Sequence, residues 1–207
     1  MMANSNPWDE RYGTVASGEY YYGKEPNDFL RDFAGAIPAG GEVLCLAEGE
    51  GRNAVYLASK GYRVTAVDAS IVGLEKLAAL ALEKGVEVRS ELRDLMDYRI
   101  EPNRWDAVVS VWCHLPRPLR ARLHGELASG LKPAGVFLLE AYHPRQLEFK
   151  TGGPPSVELL VTAEDLRAEV GGLSFEVLRE IEREVHEGRG HFGQSAVVQL
   201  LARKKAG

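Results

Sequence analysis

One stretch constrains the rest of the chain. The apolar run Val43-Leu44-Cys45-Leu46 passes through Ala47-Glu48-Gly49-Glu50-Gly51 directly into a segment, Gly51 to Lys60, whose apolar spacing is helical. Such a run reads as a buried strand, and a strand that turns at once into a helix is the first half of a β-α-β unit. Glycines at 49 and 51 let the backbone turn sharply and let a ligand approach the main chain, while free N–H groups at the helix start favour an acceptor such as a carboxylate or phosphate. Asp68 lies 19 residues beyond Gly49, at the end of the next apolar run, where a carboxylate can accept both hydroxyl protons of a ribose. The bland alternative is a tight turn with Asp68 as a helix cap. The combination favours a nucleoside-containing ligand.

The pattern then alternates. A strand over Tyr62 to Val67 precedes a helix over Ile71 to Lys84, with Leu74, Leu77, Ala78 and Leu82 on one face. Val86-Glu87-Val88 reads as a third strand and Trp105 to Trp112 as a fourth. A helix over Leu119 to Ser129 and a fifth strand over Val136 to Leu139 follow, the latter behind the turn Lys132-Pro133-Ala134-Gly135. Strands alternating with helices predict right-handed crossovers and an open, doubly wound parallel sheet, so the fold class is α/β. The last third changes character. After the loop Thr151-Gly152-Gly153-Pro154-Pro155, a helix is signalled by Thr162 with Glu164-Asp165, and two long strand-like runs, Ser174 to Val185 and Phe192 to Arg203, are joined without a helix as a hairpin. Upstream of the sheet, Trp8, Tyr12 and Tyr20 to Tyr22 lie among Gly13, Gly18 and Gly23 without steady periodicity. They predict an irregular arm, followed by a short helix through Phe29, Leu30, Phe33 and Ile37.

With 207 residues the chain fits one domain, and its hydrophobic share of 45% and charged share of 27% are those of a globular protein. Residues 1–37 form the arm and its helix, 42–140 the ligand-binding core, and 141–207 the loop, helix and terminal hairpin. The net charge of −5 gives no electrostatic footprint for nucleic acid or an anionic membrane. Cys45 and Cys113 lack paired spacing, and the opening residues MMANSNPWDER lack a signal-peptide pattern, so a reduced, cytoplasmic protein is expected. A monomer or weak homodimer is expected too.

Gly49-x-Gly51-x-x-Ala54 fits the dinucleotide fingerprint literally, so an NAD(P)-binding oxidoreductase is a rival. Charge argues against it. Glu48 and Glu50 flank the turn where an anionic pyrophosphate would lie, whereas S-adenosylmethionine has no phosphate and carries two cationic centres. The Tyr-x-x-x-Lys spacing of short-chain dehydrogenases occurs only as Tyr20/Lys24, before the sheet, and Tyr56/Lys60, on the helix after the glycine loop. Asp94-Leu95 after the third strand is placed to meet an adenine ring.

These segments, VLCLAEGEGRNAVYLASKGYRVTAVDAS, Asp94-Leu95, WDAVVSVWCHLP and LKPAGVFLLEAYHP, together resemble class I S-adenosylmethionine-dependent methyltransferases, most of all the small bacterial branch related to the tellurite-resistance methyltransferases. The resemblance implies a seven-stranded sheet of order 3-2-1-4-5-7-6 with strand 7 antiparallel. It implies that Gly49 and Gly51 line the methionine part of the cofactor, that Asp68, with Ala69 beside it, holds the ribose, that Asp94 and Leu95 meet the adenine, and that Val111 lies along the cofactor. The family usually has an acid where this chain has Cys45 and a glycine where it has Ala47. Glu48 or the aromatic arm, Tyr12 and Tyr22 included, could then hold the amino group.

Methyl transfer from a sulfonium is an in-line displacement that needs a positioned acceptor, excluded water and, for some acceptors, a base. The candidate bases are His114, His143, His186 and His191, all beyond predicted strand ends or in the hairpin connection. His191 is favoured because the tellurite branch resembles this chain at Glu187-Gly188-Arg189-Gly190-His191, although the arginine expected next is Phe192 here. No metal site is expected, since His186 and His191 lie five apart on a loop with no cysteine near. The aromatic arm is either satellite packing or a lid over the sulfonium. The sequence therefore points to an S-adenosylmethionine-dependent methyltransferase for a small-molecule thiol, amine or chalcogen-type nucleophile, with an oxidoreductase and a non-catalytic S-adenosylmethionine-binding protein as alternatives.

Overall fold

The computed structural model describes residues 6–206. Residues 1–5, the first part of the opening segment read above, and Gly207 lie outside the described residues. Seven strands, β1 (Glu42–Leu46), β2 (Arg63–Asp68), β3 (Arg89–Leu92), β4 (Trp105–Val111), β5 (Leu131–Tyr142), β6 (Leu173–Glu187) and β7 (His191–Lys204), form one sheet in the order β3-β2-β1-β4-β5-β7-β6. The first five strands pair in parallel, and β7 runs antiparallel to both neighbours. This is the expected topology.

Among the described residues seven α-helices accompany the sheet: α1 (Pro7–Gly13), α2 (Asp28–Phe33), α3 (Arg52–Ser59), α4 (Ile71–Lys84), α5 (Arg117–Gly130), α6 (Gln146–Phe149) and α7 (Ala163–Glu169). The period-2 alternation of the central strands divides the core into two layers. On β1, Val43 and Cys45 pack with Phe29, Leu30, Leu57 and Leu77 from α2, α3 and α4, whereas Leu44 and Leu46 pack with Leu123, Leu127 and Leu166 from α5 and α7. Both faces are covered, so β1 and β4 read as continuous apolar runs.

Three expectations change. The third strand is Arg89–Leu92 rather than Val86 to Val88, because Val86 and Val88 pack against Val55 and Leu80 as a connector while the polar residues after them make the edge ladder. On α4 the buried face is Gly73, Leu74, Leu77, Leu80 and Ala81, and Leu82 is 83% exposed. The arm contains a helix. Asn6 accepts the Trp8 N–H, Pro7 supplies the first turn without a lost donor, and Asp9 and Glu10 complement the helix dipole. Beyond Thr14 the arm is irregular up to α2, as read.

Candidate cofactor and acceptor cavity

In an open α/β sheet a crevice forms beyond the carboxyl ends of the strands where the order reverses, here between β1 and β4. A cavity of about 1020 Å³ lies there, at the upper end of the roughly 300–1,000 Å³ typical of ligand pockets. One end is lined by Ala47, Glu48, Asp68, Ala69, Asp94, Leu95 and Val111. The other reaches Trp112, His114, Gly152 and His191, and the arm closes over it with Tyr12 and Tyr22.

The β1–α3 turn is fixed by carboxylates from two directions. Asp68, at the end of β2, accepts the Gly49 N–H at 2.8 Å through Oδ2 and the Ser70 N–H at 2.8 Å through Oδ1. Burial raises its pKa, and those N–H groups oppose the rise. Glu48 turns back to accept the Ala54 N–H at 2.7 Å, occupying the start of α3. Burial pushes its carboxyl up to about 7 despite that bond and the nearby Arg52. Ala47 has φ 50, the left-handed conformation that a glycine would adopt without strain. Gly49 and Gly51 do not line the cavity. Gly51 has φ 91, and a Cβ there would stand 2.5 Å from Leu77 Cγ, so its lack of a side chain lets α4 approach α3; at Gly49 the close neighbour is the Tyr12 hydroxyl. Asp94 accepts the Met96 N–H at 2.8 Å through Oδ1 and lines the cavity.

Glu50 joins this loop to the arm. It is buried, accepts the Tyr21 and Tyr22 N–H groups at 3.0 Å each, and is paired with Lys76 at 2.9 Å. Lys76 also donates to the Tyr12 carbonyl at 2.6 Å. Tyr12 is 5% exposed, and burial, followed by the charge of Asp68, raises its pKa.

At the far end His191 is sandwiched between two rings, Tyr22 at 4.7 Å and Trp112 at 4.8 Å between centroids, each inclined by 24°. Its Nδ1 is 2.7 Å from the Tyr142 hydroxyl. Burial, then the charge of Arg52 and the neighbouring His114, hold His191 well below the ordinary histidine value, so the ring is neutral. His114 is also neutral: burial lowers it to about 4, and its Nε2 accepts the Tyr142 backbone N–H at 3.2 Å. Its lone pair at that nitrogen is therefore engaged. His143 and His186 do not line the cavity. The first sits 3.6 Å from Glu180, and the second is 63% exposed.

Beneath this stack lies a buried ionic network that sequence spacing did not reveal. Glu187 accepts from Trp112 Nε1 at 2.5 Å, from Arg52, from Asn27 Nδ2 at 2.9 Å and from Arg183 at 3.1 Å. Arg183 also binds Glu140, to which Gln199 and Asn27 donate. Burial opposes the Glu187 charge, but Arg52, the Trp112 N–H and Arg183 outweigh it and hold the carboxyl at about 2. Trp112 itself adopts φ 55. Trp112, Tyr142 and Arg52 are the site residues that sequence reasoning missed. Trp112 ended a strand read only as core, Tyr142 lay beyond the strand read as Val136 to Leu139, and Arg52 looked like an ordinary helix start. Among the described residues no group of three or more His, Cys, Asp or Glu could hold a metal ion, and no helix is long and apolar enough to cross a membrane.

A family model described as a methyltransferase domain matches residues 43–135. Among solved structures, one described for the conversion of a disulfide bond into a thioacetal group during echinomycin biosynthesis is 21% identical, covering 95% of this chain and 91% of that one with a TM-score of 0.73. TehB from Haemophilus influenzae is 22% identical, with 86% and 62% of the chains covered and a TM-score of 0.69. A S-adenosylmethionine-dependent methyltransferase from Methanosarcina mazei is 17% identical, with 88% and 100% covered and a TM-score of 0.66. No curated protein sequence matches the chain. Residues 43–135 are thus similar to a methyltransferase domain, and the chain shares the fold and strand order of these structures.

Proposed function

We propose that this methyltransferase domain moves the methyl group of S-adenosylmethionine onto a small thiol, amine or chalcogen-type nucleophile within the cavity described above. The observation that carries this reading is the continuity of the cavity: acids at the cofactor end and a buried, neutral histidine at the other end line one cleft. Asp94 and Leu95 face the adenine in this arrangement, Asp68 and Ala69 the ribose, and Val111 the length of the cofactor. Tyr12 and Tyr22 form a lid that excludes water and offers ring faces to the sulfonium.

The acceptor attacks the methyl carbon as the bond from carbon to sulfur breaks and its electron pair returns to sulfur, leaving S-adenosylhomocysteine. An acceptor that bears a proton must lose it. In the tautomer whose Nδ1–H donates to Tyr142, His191 Nε2 has a free lone pair for that proton. His114 holds the Tyr142 backbone, and hence its hydroxyl, in place.

A pyrophosphate-bearing dinucleotide fits this site worse. Its usual seat is the helix N-terminus, where the Glu48 carboxylate already accepts the Ala54 N–H. Turnover of labelled S-adenosylmethionine against thiols, amines and chalcogen oxyanions tests the proposal. Methyl transfer lowered by about 10²–10⁴-fold in His191→Ala, with S-adenosylhomocysteine binding retained, is the expected result. Cofactor binding without transfer to any acceptor at any pH would make the protein a non-catalytic binder.

A further inference from the structure

The cavity is lined by charges of both signs. Its acids are Glu48 and Glu50 in the turn after β1, Asp68 at the end of β2 and Asp94 in the turn after β3. Its cations are Arg11, Arg52, Lys150 and Arg189. Arg52 and Arg189 are neutralised by Glu187 and Glu19. Arg11 and Lys150 are not: among the described residues neither takes part in an ion pair.

Both unpaired cations line the cavity, Arg11 held beside the ring stacked on His191 and Lys150 close to His191 along the backbone. Arg11, on α1, donates to the Tyr22 hydroxyl at 3.2 Å, and the Tyr22 ring is the one stacked on His191. Its guanidinium lies 4.8 Å over the Trp8 ring, which holds it in the cavity wall. Lys150 ends α6 in a left-handed conformation, φ 58, two residues before Gly152, and Gly152 is bridged to His191 across the strand edge. The remaining rim is apolar, with Pro154, Pro155, Leu159 and a Phe192 that is 63% exposed.

From this arrangement we propose that Arg11 and Lys150 form a carboxylate-binding subsite for the acceptor, so that the acceptor is a small molecule with an apolar body and an anionic oxygen group. This rests on the methyl-transfer reading of the cavity. Two cations without carboxylate partners, on either side of an apolar rim, favour an anion over a neutral molecule, and a guanidinium can hold a carboxylate through two parallel hydrogen bonds. The nucleophilic atom then lies toward His191 and the anionic group toward the rim. A cationic acceptor is rejected by the same two charges.

The probes are benzoate, benzamide and benzylamine, which share a ring and differ in charge, titrated into the full-length protein with and without S-adenosylhomocysteine. Benzoate is expected to bind at least tenfold more tightly than the other two, to weaken as salt is raised, and to lose about tenfold in affinity in Arg11→Gln/Lys150→Gln. Equal binding of the three probes, binding of none, or benzoate affinity unchanged in the double variant would overturn the proposal. S-adenosylhomocysteine and 5′-methylthioadenosine, which lacks the amino-acid portion, are titrated into the same variant. If the variant loses affinity for the first alone and keeps its benzoate affinity, the cations serve the cofactor's own carboxylate and the proposal falls. Failure of S-adenosylhomocysteine to bind the unmodified protein would instead overturn the methyl-transfer reading, while the benzoate comparison without cofactor still decides the subsite. Both side chains are exposed, and a matched unfolding curve for the variant separates loss of the subsite from loss of the fold.

Discussion

Glu187→Gln removes one negative charge from the buried network and little else, since the amide has nearly the same shape. Arg183 keeps Glu140, but Arg52 loses its only carboxylate partner among the described residues, at a depth where it is 6% exposed. Leaving one member of a buried pair uncompensated costs about 3–5 kcal/mol. An independent figure comes from linkage: the gap between the ordinary glutamate value of 4.5 and about 2 corresponds to about 3 kcal/mol. Because the folded value is depressed, this stability is present above pH 4.5 and is lost as pH falls toward 2. Urea unfolding of both proteins at about pH 6 and about pH 3.5 should therefore show a difference that shrinks by about 1 kcal/mol at the lower pH. Near-ultraviolet circular dichroism should also change, because Trp112 loses the charged acceptor that fixes its ring. A penalty under about 0.5 kcal/mol, the level of an ordinary surface substitution, or one independent of pH, would refute the argument.

Further outcomes follow from the same geometry. Gly51→Ala places a Cβ 2.5 Å from Leu77 Cγ at a φ of 91 and should cost about 1–3 kcal/mol in urea unfolding by overpacking alone, with backbone strain adding to it. Relative to the unaltered protein, Glu48→Gln should gain stability as pH rises from about 5 to about 8: burial raises the Glu48 value to about 7, so its charged form opposes folding above that pH. His191→Ala should lower turnover by about 10²–10⁴-fold. Turnover of the unaltered protein should show no inflection from this ring near pH 6.5, because burial and Arg52 hold His191 well below that value.

The sheet was legible because each central strand is buried on both faces and bounded by glycine, proline or polar turns; the span of α4, Ile71–Lys84, was legible too, though not its buried face. The polar edge β3 was not, since Arg89–Leu92 offers no apolar run and the flanking Val86 and Val88 mislead. α1 had a readable signal, Asn6-Pro7 with acids in the first turn, hidden by the glycines and aromatics around it. The charged framework was illegible for another reason. Arg52 and Glu187 are 135 residues apart, and Asn27 and Glu187 are 160 apart; only the folded sheet brings them together. Glu50 shows the same limit. Sequence position placed it at the turn, but only the structure turns it toward the arm's Tyr21 and Tyr22 backbone.

The central claim is that the space between Asp68 and His191 holds S-adenosylmethionine. Calorimetric titration with S-adenosylhomocysteine and with NADH, on the unaltered protein and on Asp68→Ala, tests it most directly. The account predicts saturable binding of S-adenosylhomocysteine, weakened by roughly 1–3 kcal/mol in Asp68→Ala as ribose hydroxyls lose their acceptor, and no binding of NADH. Binding of NADH without S-adenosylhomocysteine would contradict the claim, and an Asp68→Ala affinity equal to that of the unaltered protein would contradict the ribose placement.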